Sequence, residues 1–174
     1  DNTILPPILD LPDIDPDATR DHVLVYLPFE DQDATTRWLQ EFADKSFIQY
    51  SPAVSDELQG NVLRQKANID GFKRDLATAK GVICNTGFEL ISECLQWGKP
   101  VLTRPLAKQM EQLSNAAALE QLGYATTMQA LETQKARAWL DDMPSAPKIH
   151  FKDVAATLAR WLARGAKEPV EQLS

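Results

Sequence analysis

The sequence has little of the material from which metal sites, disulfide frameworks and nucleic-acid surfaces are built. Its 174 residues include two cysteines and two histidines, and 18 basic residues stand against 25 acidic ones. Without clustered cysteines and histidines, neither a metal site nor a bound cofactor is expected, and Cys84 and Cys94 are predicted to be reduced, buried thiols. The net charge of −7 argues against a nucleic-acid partner.

Long apolar runs are also missing. No stretch approaches the roughly 18 apolar residues that a transmembrane helix needs, and no signal peptide is visible. We therefore expect a cytoplasmic protein without a transmembrane segment, in which any association with a membrane comes from another domain or a partner. The sequence begins with Asp1, which leads us to expect a fragment of a longer protein or a processed chain.

What is present is typical of one globular domain. The hydrophobic content of 44% and the charged content of 25% are ordinary, and the length allows a substantial core. Prolines concentrate near the start, at positions 6, 7, 12 and 16, where they disfavour regular structure. These features predict an extended linker or strap over 1–20, a folded domain over 21–165 and a C-terminal tail over 166–174.

Short apolar runs alternate with segments of helical periodicity. The runs predict strands over 22–27, 47–50, 61–64, 81–84, 101–103 and 124–128. The periodic segments predict helices over 35–45, 69–79, 88–97, 110–122, 131–142 and 151–164, and the apolar stripe of the last helix is expected to pack on the core. This alternation predicts an α/β fold of the Rossmann-like, doubly wound type, with a mostly parallel six-stranded sheet and helices on both faces.

The central stretch, residues 79–116, carries the most specific pattern. A strand buried on both faces is followed by the turn Asn85-Thr86-Gly87 and then by a helix that Gly98-Lys99-Pro100 ends. Gly87 tolerates either close approach of a ligand to the backbone or a positive φ angle. Because a helix N-terminus presents unpaired N–H groups and the positive end of a dipole, this turn suits a phosphate group.

The same stretch resembles the donor-binding half of GT-B glycosyltransferases, in particular the MurG-type N-acetylglucosaminyltransferases and their relatives. The matching positions are Thr86-Gly87-Phe88, Ser92-Glu93, Gly98-Lys99-Pro100, Pro105, Glu111-Gln112, Asn115-Ala116 and Gly123. The resemblance implies one half of a GT-B fold that binds a nucleotide-sugar donor, with UDP as the expected nucleotide. It also implies an N-terminal acceptor-binding domain, either in the same chain or in a partner subunit.

The resemblance implies roles for individual residues. For the nucleotide, Thr86, Gly87 and the backbone N–H of Phe88 would contact the diphosphate, and Glu93 would accept hydrogen bonds from both ribose hydroxyls. Backbone groups of residues 67–69, including Ile69, would surround the base. The residues implied for the sugar are Glu111 and Gln112, and those that would offset the diphosphate charge are Arg104 and Lys108.

Two features depart from the family pattern. Pro28-Phe29-Glu30-Asp31 occupies the place of a Gly-rich loop that faces the diphosphate in many relatives, and its two carboxylates would repel an anion. No catalytic base is evident either, because His22 opens a strand at the amino end of the sheet and His150 lies far along the chain. We therefore expect no catalytic residue here and no activity from the isolated chain.

The function predicted from the sequence is the donor-binding half of a glycosyltransferase that transfers a sugar to an acceptor hydroxyl. Two alternatives stay open. One is a sugar-nucleotide epimerase or hydrolase of the GT-B type. The other is a non-catalytic nucleotide-sugar-binding subunit that works with a partner chain.

Overall fold

The computed structural model describes residues 7–9, 11 and 18–165. Most of the predicted linker over 1–20 and all of the predicted tail over 166–174 lie outside the described residues. Within the described part, strands and helices alternate along the chain. Their order is β1 (Val23–Tyr26), α1 (Gln32–Gln40), β2 (Phe47–Ser51), β3 (Glu57–Gln59), β4 (Val62–Lys66), α2 (Ile69–Thr78), β5 (Gly81–Asn85), α3 (Phe88–Trp97), β6 (Val101–Arg104), α4 (Met110–Gln121), β7 (Thr126–Thr127), α5 (Thr133–Asp142) and α6 (Val154–Ala163).

The strands form one sheet in the order β3-β4-β2-β1-β5-β6-β7. All neighbours pair in parallel except β3, which pairs antiparallel with β4 at the edge. The chain starts at the central β1, moves outward through β2 to β4, and then returns to place β5 on the other side of β1. The order therefore reverses between β1 and β5, which is where α/β proteins of this type bind ligands.

The predicted doubly wound fold is confirmed, with one correction. The sheet has seven strands, not six, because the three-residue β3 adds an edge strand to the six predicted ones. Two of its residues, Glu57 and Leu58, are exposed. A strand this short and this exposed has neither an apolar run nor a regular alternation by which it could be predicted.

Helices cover both faces of the sheet because the inner strands are apolar on both. Val23 and Val25 of β1 pack into a cluster with α1 and α5, whereas Leu24 between them packs into a second cluster with α2 and α3. This period of two is the geometry of a strand buried on both sides. Because α2 and α3 lie on the same face, their first turns stand next to each other at the carboxyl edge of the sheet.

Two helix predictions need correction. Helix α1 begins at Gln32, three residues before the predicted start, because the Asp31 side chain caps it by accepting a hydrogen bond from the Ala34 N–H at 2.7 Å. It also ends at Gln40, before the predicted end at residue 45. In α6, the apolar stripe packs on the core mainly through Val154, which is 6% exposed, whereas Leu162 is 62% exposed. None of the helices in the described part combines the length and apolar character that a membrane span requires.

Candidate functional site

A cleft of about 740 Å³ opens at the carboxyl edge of the sheet, beside the point where the strand order reverses. Its walls come from the end of β1, the loop before α2 with the first turns of that helix, and the first turns of α3. The lining residues are Tyr26, Ala67, Asn68, Ile69, Phe72, Lys73, Gly87, Phe88, Glu89, Leu90 and Glu93. The cleft thus brings together four residues predicted for the nucleotide: Ile69, Gly87, Phe88 and Glu93.

Gly87 is the N-cap residue of α3, and no side chain caps this helix. Its φ of −84° and ψ of 140° are ordinary extended values, so a positive φ is not the reason for a glycine here. A Cβ atom at this position would meet nothing within 4 Å, which shows that the space beside the turn is open. The N-terminal N–H groups of α3 therefore face a cleft that an anion can approach.

Glu93 lies on the cleft wall nearly two helical turns into α3. It is only 7% exposed, so it is not a carboxylate of the solvated surface. Glu89, one turn earlier, is exposed and belongs to the first turn of the helix. The buried carboxylate is the one that can accept hydrogen bonds from hydroxyl groups within the cleft.

The opposite wall is held in place by the cap of α2. The Asn68 side chain accepts a hydrogen bond from the Gly71 N–H at 2.7 Å. Any larger residue than glycine at position 71 would place its Cβ 2.5 Å from the Asn68 Oδ1 atom, so the glycine is required for this close contact. The cap fixes the loop over 67–69, and Ile69 stands at the rim with 73% of its surface exposed.

The sequence reasoning missed Lys73, which is the cation in the cleft lining. Lys73 follows Ile69 by four residues and Phe72 by one, so the i, i+3, i+4 spacing that places these residues on one face of α2 was the available signal. The two cations predicted from the family pattern, Arg104 and Lys108, are not among the lining residues.

Arg104 instead forms an ion pair with Glu30, in the loop after β1. The carboxylate of Glu30 is thereby neutralised, and that of Asp31 is occupied as the cap of α1. These contacts correct two expectations. Arg104 is not a free counter-charge for a diphosphate, and the loop after β1 is less repulsive to an anion than its two carboxylates indicate. Lys108 is exposed in the turn that follows β6.

Thr86 turns its side chain into the core and is 1% exposed. Its hydroxyl lies 2.8 Å from that of Thr103, which in turn donates to the Cys84 carbonyl. Burial also raises the pKa of the Cys84 thiol to about 12, which keeps the thiol protonated. The expected contact of the Thr86 hydroxyl with a ligand is therefore corrected: the side chain anchors the turn that carries Gly87.

Glu111 and Gln112 lie in the first turn of α4, at the same edge of the sheet but beyond β6. Gln112 closes the loop that precedes the helix, since its Oε1 accepts from the Leu106 N–H at 3.1 Å and its Nε2 donates to the Gln109 Oε1 at 2.7 Å. Glu111 is exposed. The structure does not bring this predicted sugar-binding pair into the lining of the cleft.

The two histidines lie away from the cleft. His22 is at the amino edge of the sheet, where its Nε2 bonds the Asp75 carbonyl oxygen at 2.9 Å and burial lowers its pKa. His150 is exposed in the loop between α5 and α6. Within the described residues, no group of three or more His, Cys, Asp or Glu side chains is placed to hold a metal ion.

Solved structures with a similar fold include two glycosyltransferases that are larger than this chain. The glycotransferase of kitacinnamycin is 22% identical, with a TM-score of 0.62 over 81% of this chain and 40% of the other. SnogD from Streptomyces nogalater is 20% identical, with a TM-score of 0.50 over 91% of this chain and 47% of the other. The chain thus spans less than half the length of either protein.

A third similar structure, of ALG13, was determined by NMR in solution. It is 13% identical, with a TM-score of 0.52 over 79% of this chain and 93% of that one. No curated protein matches the sequence. The family model described as glycosyl transferase family 1, however, matches residues 1–144, which is most of the chain. On this match and on the GT-B half-fold described above, the chain belongs to glycosyl transferase family 1.

Proposed function

We propose that this chain is the donor-binding half of a glycosyltransferase and that it binds a UDP-sugar in the cleft between α2 and α3. The observation that supports this most strongly is the wall formed by α3, where an N-terminus without a side-chain cap and the buried carboxylate of Glu93 line the same cleft. An anion and a pair of vicinal hydroxyls are the groups that such a wall complements, and a nucleoside diphosphate carries both.

The donor would lie along the carboxyl edge of the sheet, with its base at the loop before α2 and its sugar towards β6. Its base would rest beside the loop over 67–69, its ribose against Glu93, and its diphosphate at the N-terminus of α3 beside Gly87. Lys73 adds a positive charge to the wall opposite α3. The sugar would then extend past β5 towards β6 and the first turn of α4, where Glu111 and Gln112 stand.

Transfer to an acceptor would need a second protein body. In an inverting transfer, a general base must take the proton from the acceptor hydroxyl, and neither histidine lines the cleft. The similar kitacinnamycin and SnogD structures each have more than half of their length outside the match. We propose that an acceptor-binding domain, in the same protein or in a partner subunit, faces the carboxyl edge and supplies the base. No metal ion is required by this proposal.

Glu93→Gln tests the donor site. The amide keeps the shape of the side chain but can accept hydrogen bonds at only one atom, so we expect the affinity for UDP to fall about tenfold. Isothermal titration calorimetry of the 174-residue chain measures this change. A 2′,3′-dideoxy analogue of UDP should bind the wild type weakly and respond little to the substitution. The matched control is Glu89→Gln, which neutralises an exposed carboxylate of the same helix and should not weaken binding.

Absence of any UDP binding by the wild-type chain at millimolar ligand would contradict the proposed function. Equal binding by wild type and Glu93→Gln would contradict the ribose contact alone. Incubation with labelled UDP-sugar then distinguishes the remaining alternatives, because an epimerase or hydrolase changes the donor without an acceptor. A non-catalytic binding subunit leaves it unchanged.

A further inference from the structure

The loop after β1 and the end of β6 are joined by the ion pair between Glu30 and Arg104. These two strands are not neighbours, because β5 lies between them, so the pair crosses the top of β5 just where the turn with Gly87 begins. The side chains are largely buried, with exposed fractions of 15% for Glu30 and 22% for Arg104.

Beside this pair, the hydrogen-bonding capacity of two polar side chains is incompletely used. Asn85 is 7% exposed and donates from Nδ2 to the Arg104 carbonyl at 3.0 Å. Its buried Oδ1 atom has no hydrogen-bond partner among the described residues, and the same holds for the buried Nε atom of Arg104. Buried polar groups are nearly always paired, and this acceptor and this donor are left over side by side at the edge of the sheet where α/β proteins bind ligands, so a ligand there can pair with both.

The chemistry of this set decides what the ligand is. A diphosphate oxygen can only accept hydrogen bonds, so it would use the guanidinium but meet the carboxylate and the Asn85 oxygen as repulsive neighbours. Hydroxyl groups both donate and accept, so a polyol satisfies the carboxylate, the amide oxygen and the guanidinium together. The ion pair is also neutral as a whole, which removes the reason for an anion to prefer it.

We propose that the Glu30–Arg104 pair, together with Asn85, binds hydroxyls of the transferred sugar and contributes to the choice of that sugar. This inference rests on the proposed function, since it places the sugar where a donor bound at Gly87 would extend. Parallel strands lie about 4.8 Å apart, so the end of β6 is the first position a group reaches on leaving the diphosphate turn at the end of β5. Glu111 and Gln112 follow β6 on the same side.

The test compares UDP with UDP-glucose and UDP-N-acetylglucosamine as probes, by calorimetry on the same chain. The double variant Glu30→Gln/Arg104→Gln removes both charges without leaving one of them unpaired. We expect the double variant to bind UDP with an affinity within about twofold of that of the wild type. In the wild type, the better of the two UDP-sugars should bind more tightly than UDP, and we expect the double variant to lose about tenfold of this gain in affinity. The matched control is Asp33→Asn/Arg64→Gln, which removes an ion pair of 2.9 Å between α1 and β4 and should leave every affinity unchanged.

Four results would overturn the inference while leaving UDP binding by the wild type intact. The first is equal binding of UDP and both UDP-sugars by the wild type. The second is an equal loss for UDP and UDP-sugar in the double variant, which would make Arg104 a diphosphate contact. The third is a lowered melting temperature with all affinities unchanged, which would make the pair purely structural. A single Glu30→Gln that strengthens UDP binding would likewise show that Arg104 serves the diphosphate. Failure of the wild type to bind UDP at all would instead refute the proposed function.

Discussion

The two edges of the sheet treat their buried polar groups in opposite ways. At the amino edge, Lys99 is 5% exposed and its ammonium group donates to the carbonyls of Ala77 and Ala79 at 2.6 and 2.9 Å. These are carbonyls at the end of α2, where the helix dipole favours a positive charge. His22 is paired with a backbone carbonyl of the same helix. Lys99 and His22 are thus bonded to backbone carbonyls of the protein itself.

At the carboxyl edge, some polar groups remain available to a ligand. Helix α3 begins without a side-chain cap, and Asn85 keeps a buried oxygen without a partner among the described residues. Because bonds at the amino edge stabilise the fold, the protein tolerates unsatisfied polar groups at the carboxyl edge. This arrangement is expected where one set of residues stabilises the structure and another set binds the ligand. Substitutions at the two edges should therefore separate stability from affinity.

The largest effect is expected from Lys99→Met at the amino edge. The substitution keeps the length of the side chain but leaves the carbonyls of Ala77 and Ala79 buried without a donor, so we expect a loss of about 3 kcal/mol in the free energy of unfolding. Urea denaturation measures it. The folded variant should still bind UDP as wild type does, because the cleft lies at the other edge.

The control for this prediction is Lys80→Met, which removes an exposed lysine that pairs with the exposed Asp21. Exposed ion pairs contribute at most about 1 kcal/mol, so the control should change stability little. A Lys99→Met variant as stable as Lys80→Met would show that the buried bonds of Lys99 do not hold the amino edge together.

The opposite outcome is expected from Gly87→Ala at the carboxyl edge. The added Cβ meets no protein atom within 4 Å, and the backbone angles suit any residue, so stability should change by less than about 1 kcal/mol. The methyl group would, however, occupy the space through which a phosphate approaches the helix N-terminus. We expect UDP affinity to fall about tenfold in a titration of the folded protein. Unchanged affinity would mean that the diphosphate does not approach at Gly87.

The comparison of the two edges also explains which features could be predicted from the sequence. The apolar runs of β1, β5 and β6 and the turn around Gly87 are local signals, and they were sufficient for the fold and for one wall of the cleft. The ion pair between Glu30 and Arg104 joins residues far apart in the chain, so no local sequence pattern predicts it. Lys99 was interpreted only as part of a helix stop, because burial of a lysine depends on which helix end packs above it.

The same limit applies to individual side chains of the site. The family pattern predicts ligand contacts for Thr86 and Gln112, whereas their side chains bond to Thr103 and to the loop before α4 in this structure. A hydroxyl or an amide next to a turn can form hydrogen bonds either within the turn or with a ligand. Which of the two it does depends on the groups that surround it in the folded protein. Lys73 was missed for the converse reason, since its place in the cleft depends on the packing of α2 beside α3.

The smallest effect is expected from acidification, and it again concerns the amino edge. Burial lowers the pKa of His22 below its ordinary value of 6.5; the Asp75 carbonyl and carboxylate oppose this shift, whereas Arg20 and Lys99 add to it. The unfolded chain therefore binds a proton more readily than the folded one, so stability should decrease as the pH falls below 6.5.

His22→Gln, whose amide can still donate to the Asp75 carbonyl, should lose less stability between about pH 7.5 and pH 5 in urea denaturation. His150→Gln removes an exposed histidine and should follow the wild-type profile. If the wild type and His22→Gln show the same dependence on pH, then the buried imidazole does not limit the stability of this edge in acid.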